Sequence, residues 1–190
     1  MKQSVSQGPS ARISVADRQR RAPVDVRFHR RLLRNLLSLT RRSPAVIGLT
    51  FVNDQQMRRI NHDHRRIDRP TDVLAFPVSA WHRKRDAHVR GRSASSPPAN
   101  PHRNTGLMIN TPRHERIHVL GDIVISIETA RRQAREAGAT LREECRRLLI
   151  HGYLHLLGYD HERSRPEAVR MRRMERRLEA RVSGMGRRAQ

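Results

Sequence analysis

The sequence predicts an α/β (α+β) fold, a small mixed β-sheet covered by helices. Two observations predict it. Short apolar, β-branched runs alternate with stretches of helical periodicity along most of the 190 residues. Turn and capping residues stand at the junctions: Pro23, Asn53, Pro77, Gly138 and Thr140. That alternation gives the order β, α, β, α, β, long loop, β, α, α, α, with no internal repeat.

Residues 1–10 are polar, with Gly8 and Pro9, and read as a loose tail. Residues 11–16, ARISVA, alternate enough for a short strand. From Pro23 the spacing becomes helical, through Val24, Phe28, Leu32, Leu33, Leu36 and Leu37. Pro at the start and Arg41 and Arg42 at the end suit the two poles of a helix dipole. AVIGLTFV (45–52) is a buried strand, and Asn53 or Asp54 then caps a short helix through about Asn61. VLAFP (73–77) is a strand stopped by its proline. Residues 79–118 have little periodicity, five of the eleven His and four Pro. A structureless stretch of that length is unusual inside a compact domain, so it reads as an inserted flexible loop, with a hairpin at 106–110. HVLGDIVISI (118–127) is a strand, and Glu128–Ala137 is a helix closed by Gly138. Thr140 with Glu143 is a capping-box signature for a helix running through 141–158. Residues 166–182 form a last, basic helix. The single domain thus spans 11–182, and 183–190 is a C-terminal tail.

Composition narrows the function class. Lys+Arg is 40 against 18 Asp+Glu, a formal charge of +22, and Lys2 and Lys84 are the only lysines. Arg in place of Lys suits a coding bias, but such a bias does not explain the excess over acids. A charge this large attracts polyanions, nucleic acid and ribosomes among them. Cys145 is the lone cysteine, so no intramolecular disulfide forms. No apolar run approaches the ~18–20 residues of a membrane span, and the N-terminus has no signal-peptide pattern. A cytoplasmic protein without a membrane partner is expected.

The chemistry concentrates in HGYLHLLGYDH, residues 151–161. His151 and His155 lie about 40° apart around a helix and roughly 6 Å along it, so both can bind one metal ion. His161 falls on that face only if the helix stops first, and Gly158 takes the left-handed terminating conformation at least cost. Three histidines leave a fourth coordination position open, the mark of a catalytic site. The spacing H-x3-H-x2-G-x2-H is that of metzincin zinc proteases, with Gly152 where those carry their Glu base. Peptide hydrolysis is therefore disfavoured. Asp72 and Asp122 either hold a ligand imidazole in one tautomer or cap turns. Asp160 stabilises the turn before His161, Cys145 is a small core residue, and Tyr153 and Tyr159 pack.

The same stretch resembles the signature of the YbeY family of bacterial metal-dependent endoribonucleases. Residues 60–77, ending in TDVLAFP, and LGDIVIS (120–126) are similar to two further blocks of that family, in family order. The resemblance implies one Zn²⁺ on His151, His155 and His161, and a catalytic, phosphate-contacting arginine that maps to Arg65. It also implies a zinc-dependent endoribonuclease specific for single-stranded RNA. Its work would be ribosomal RNA maturation, at the small-subunit 3′ end, and ribosome quality control, with ribosomal particles as partners. Two other readings stay open. One is a non-catalytic ribosome-binding assembly factor whose zinc is structural. The other is a metal-dependent hydrolase of another class, such as a protease taking its carboxylate from Glu162.

Overall fold

A computed structural model describes residues 11–78 and 117–186, with side chains through 183. The expectations for 1–10, for 79–116 with the hairpin at 106–110, and for 187–190 lie outside the described residues. The elements are β1 (Arg12–Asp17), α1 (Val26–Leu39), β2 (Ala45–Val52), α2 (Asp54–Arg65), β3 (Val73–Pro77), β4 (His118–Ser126), α3 (Ile127–Glu136), α4 (Leu141–Leu156) and α5 (Arg165–Gly186). Their order matches the expected one. The sheet order is β1-β2-β4-β3. β2 runs parallel to β1 and β4, whereas β3 is antiparallel to β4, so the sheet is mixed and β3 forms one edge.

The two-residue strand period sorts the sheet's faces. Ile47, Leu49, Phe51, Ile123 and Ile125 point into the main core with Leu33 and Leu36 of α1, Leu149 and Tyr153 of α4 and Met171 and Leu178 of α5. Val52, Leu74 and Val124 point the other way and meet Met57 of α2, with Ile60 and Phe76 packed alongside. α1, α4 and α5 therefore cover one face, and α2 covers the opposite one.

Helix boundaries shift by one to four residues from expectation, those of α1 and α2 for a local reason. α1 begins at Val26, beyond Pro23, because the Asp25 side chain accepts from Phe28 N and caps it. α2 runs one turn past Asn61 to Arg65 and stops where Arg66 adopts φ +62°. Its capping box, Asn53 with Gln56, is formed at the N-terminus. α5 continues to Gly186.

His29 is an ionisable group inside the main packing face. It is 2% exposed, and its ring stands edge-on to Phe28 and Phe51. Nδ1 lies 2.7 Å from the Asp25 carbonyl oxygen, which can only accept, so Nδ1 carries the proton. Nε2 is buried without a hydrogen-bond partner. Burial holds the pKa below the ordinary value; the Asp25 carbonyl and carboxylate oppose this, and Arg142 reinforces it. The unfolded chain thus binds more protons than the folded one below about 6.5. Stability from neutral His29 is full above that pH and is lost as pH falls toward the depressed folded pKa. His29→Leu should flatten this loss, so urea midpoints at pH 7.5 and 5 should differ less than in wild type. An equal acid loss in both proteins would refute this role.

Candidate metal centre

α4 is built to hold two histidines in register. Its N-terminus is fixed by the predicted capping box: Glu143 N donates to Thr140 Oγ at 3.2 Å, and Glu143 Oε2 accepts from Thr140 N at 2.9 Å. Leu148, Leu149, Tyr153 and Leu154 enter the core, and the Tyr153 hydroxyl lies 2.6 Å from Thr40 Oγ after α1. Gly152 faces the sheet. A Cβ there would stand 3.0 Å from Ile123 Cγ2 and 3.2 Å from Val73 Cγ2, so the missing side chain sets the helix-to-sheet distance. His151 and His155 remain half-buried on another side of the helix.

The helix ends as its glycine predicts. Gly158 adopts φ +92°, Gly158 N donates to the His155 carbonyl at 3.0 Å, and Tyr159 N donates to the Leu154 carbonyl at 3.1 Å. These two bonds form a Schellman motif, which satisfies terminal carbonyls and reverses the chain. Asp160 Oδ1 accepts from Glu162 N at 3.0 Å and tightens the turn. His161 swings back, and one ring nitrogen from each of His151, His155 and His161 lies within 4.8 Å of the others. Ring centroids are 4.7 to 5.2 Å apart.

The donor set suits a divalent cation. His151 Nδ1 is 2.7 Å from Glu175 Oε1 on α5. An ionised carboxylate only accepts, so Nδ1 holds the proton and the Nε2 lone pair turns toward His155 Nε2, 3.1 Å away. His155 is held below the ordinary imidazole pKa by burial first, then by His151 and His161, against Asp160 and the Tyr159 backbone. A neutral imidazole is the ligating form. Three imidazoles suit zinc, and Ni²⁺, Co²⁺ or Cu²⁺ as well.

Glu175 was not among the sequence candidates. Asp72 takes the capping role, accepting from Val73 N at 2.8 Å and from Gln133 Nε2 at 3.1 Å. Asp122 is exposed on β4, opposite Gly48 of β2. The signal for Glu175 was faint: an acid inside an arginine-rich helix, 24 residues from its partner. The structure places Arg65 on a different element from the three histidines. It is the exposed last residue of α2 on the sheet's other face, and the 66–72 link leads from it to Val73, which lies against the Gly152 position. Asn61 Nδ2 donates to the Arg69 carbonyl at 2.7 Å and ties that link to α2. Cys145 is buried, and burial pushes its thiol up to about 12, as befits an inert core residue.

Residues 14–183 match a family model described as Endoribonuclease YbeY. The protein of that name from Persephonella marina is 40% identical over 122 residues, 64% of this chain and 60% of that protein. Its counterpart from Aquifex aeolicus is 36% identical over 129 residues, 68% and 65% of the two chains. That from Geobacter metallireducens is 32% identical over 168 residues, 88% and 93%. The chain thus spans 60% and 65% of the length of the first two. The solution structure of a Thermotoga maritima protein matches with a TM-score of 0.54 and 22% identity, over 92% of this chain and 91% of that one, which supports the same fold. Three signature blocks lie within one continuous match from β1 to α5, and the chain belongs to the YbeY family.

Proposed function

We propose that this protein is a metal-dependent endoribonuclease that cuts single-stranded ribosomal RNA in the cytoplasm. Small-subunit 3′-end maturation and ribosome quality control are its processes, and ribosomal particles are its partners. The observation that carries the reading is the cluster of three imidazoles with His161 exposed at its rim. A histidine cage sealed on all sides would suit a structural ion; this one is exposed at His161.

His151, His155 and His161 would hold one zinc ion, which when bound supplies Lewis acidity and makes water a better nucleophile near neutral pH. The chain's own groups do the rest. Glu175 fixes the tautomer and plane of His151. Burial lowers the His155 pKa and so favours its neutral, ligating form. Arg65, planar and always charged, would bind the scissile phosphate and offset the charge gained in the transition state. β3 is an edge strand, and the 66–72 link joins it to the end of α2 that carries Arg65.

A protease with its carboxylate at the metzincin position loses support from Gly152. The position that would carry the carboxylate is packed against Ile123 and Val73, not turned toward the three imidazoles.

The test is cleavage of end-labelled unstructured ribosomal RNA by wild type, Arg65→Ala and Arg65→Lys, with metal content measured in each. Arg65→Ala should keep its metal and cleave about 10²–10³-fold more slowly, the loss typical of one transition-state donor. Arg65→Lys should recover only part, because an ammonium lacks the planar fork. Metal-loaded wild type that binds ribosomal particles and cuts nothing would overturn the proposal in favour of an assembly factor.

A further inference from the structure

We infer that the outward face of α5 is a docking surface for the backbone of single-stranded RNA, leading away from the three histidines. The inference rests on the RNA-cleaving reading for the identity of its polyanion, and it names a surface that reading does not use.

The charges of α5 are sorted by side. Seven arginines between Arg165 and Arg181 are exposed. The helix's three acids, Glu167, Glu175 and Glu179, are half-buried on its flanks. Each is engaged: Glu167 with Arg170, Glu175 with His151, and Glu179 with Arg146. A coding bias toward arginine would raise the count without turning the acids inward. Arg173, Arg177 and Arg181 recur every four residues, a row with steps of about 6 Å along the axis. Arg172 and Arg176 begin a second row beside it. Guanidinium groups bind phosphate through paired N–H donors, and such a face attracts RNA regardless of sequence.

Two neighbours extend the surface. α1 packs against α5 and carries exposed Arg27, Arg30, Arg31 and Arg34 with no acid in the helix. At the other end, α5 opens four residues after His161, so Arg165 and His161 are within about 14 Å along even a fully extended chain. RNA held on α5 is therefore delivered next to the cluster.

The same face favours a single strand over a duplex. Arg165, Pro166, Val169, Arg170 and Arg173 line a shallow depression. Val169, at 44%, is the one exposed large hydrophobic side chain among the described residues. An apolar floor rimmed by guanidinium planes accepts an unstacked base, which a duplex does not present.

The experiment uses the full chain with Arg173→Gln, Arg177→Gln and Arg181→Gln combined, none of them in the histidine cluster. Binding of a fluorescent 20-nucleotide oligouridylate is measured with chelator present, from 50 to 300 mM salt. Each lost phosphate contact removes roughly 0.7 from the slope of log affinity against log salt for a single strand, so the triple variant should lose about 2. The matching triple Lys variant should keep the wild-type slope, and Val169→Ser should narrow the preference for the oligomer over duplex RNA. With metal restored, the triple Gln variant should raise KM and leave kcat unchanged. An unchanged slope overturns the docking surface whatever the cleavage result. So does tighter wild-type binding to polyglutamate or to anionic phosphatidylserine vesicles than to the oligomer. A slope loss of about 2 supports the surface even if metal-loaded wild type cuts nothing, in which case the reading of the metal centre fails alone.

Discussion

His155→Ala is expected to lose bound metal and RNA cleavage together while the protein stays folded. His155 is the middle ligand of the three: its Nε2 stands 3.1 Å from that of His151, and its ring is 5.2 Å from that of His161. Without it the other two imidazoles come from opposite sides of the Gly158 turn, and neither is backed by a neighbour on its own helix face. The variant should lose more than the roughly 100-fold in metal affinity that marks the upper end for an orienting partner. Glu175→Gln provides the graded comparison. An amide can still accept from His151 Nδ1, but it does not carry the charge that makes the ring a better donor, so affinity should fall about 10–100-fold. Metal titration under a competing chelator, with circular dichroism alongside, reads both. Full metal occupancy in His155→Ala, or cleavage that survives loss of the ion, would place the chemistry elsewhere in the chain.

The fold was legible where the local signal and the tertiary demand coincide. AVIGLTFV and VLAFP have sharp ends in composition, and both strands occupy the expected residues. Gly158 announced its own left-handed turn, and with it the return of His161. α2 was harder. Its last turn, His62 to Arg65, has no apolar residue to reveal helical spacing, because that turn lies exposed beside a second, smaller core. Its stop is Arg66 in a left-handed conformation, which sequence signals only when Gly or Asn stands there. Pro23 misled for the opposite reason: proline suits a first helical turn, yet the side-chain cap of Asp25 fixed the start instead. The order of strands in the sheet, with β4 between β2 and β3, has no local signature at all. Nor does Glu175, whose partner is on another helix.

Gly152→Glu, which places a carboxylate where a metzincin protease carries one, should yield no peptidase and a protein that barely folds. The helix packs so close to the sheet at this point that even a methyl group would press on Ile123 and Val73 at 3.0 and 3.2 Å. For Gly152→Ala, relief of glycine's helix penalty, about 1 kcal/mol, offsets much of an overpacking cost of about 1–3 kcal/mol. A small net loss is expected there. Glutamate adds four more heavy atoms beyond that methyl, a methylene and a carboxylate with no donor among its apolar neighbours. Overpacking and polar burial together cost about 4 kcal/mol or more, a large share of the 5–15 kcal/mol that holds a typical domain together. Thermal unfolding of the two variants separates the terms: Ala within a few degrees of wild type, Glu without a cooperative transition. A Glu variant that melts like wild type and hydrolyses casein would mean that position 152 faces the histidines. The glycine would then mark a lost base rather than a packing requirement.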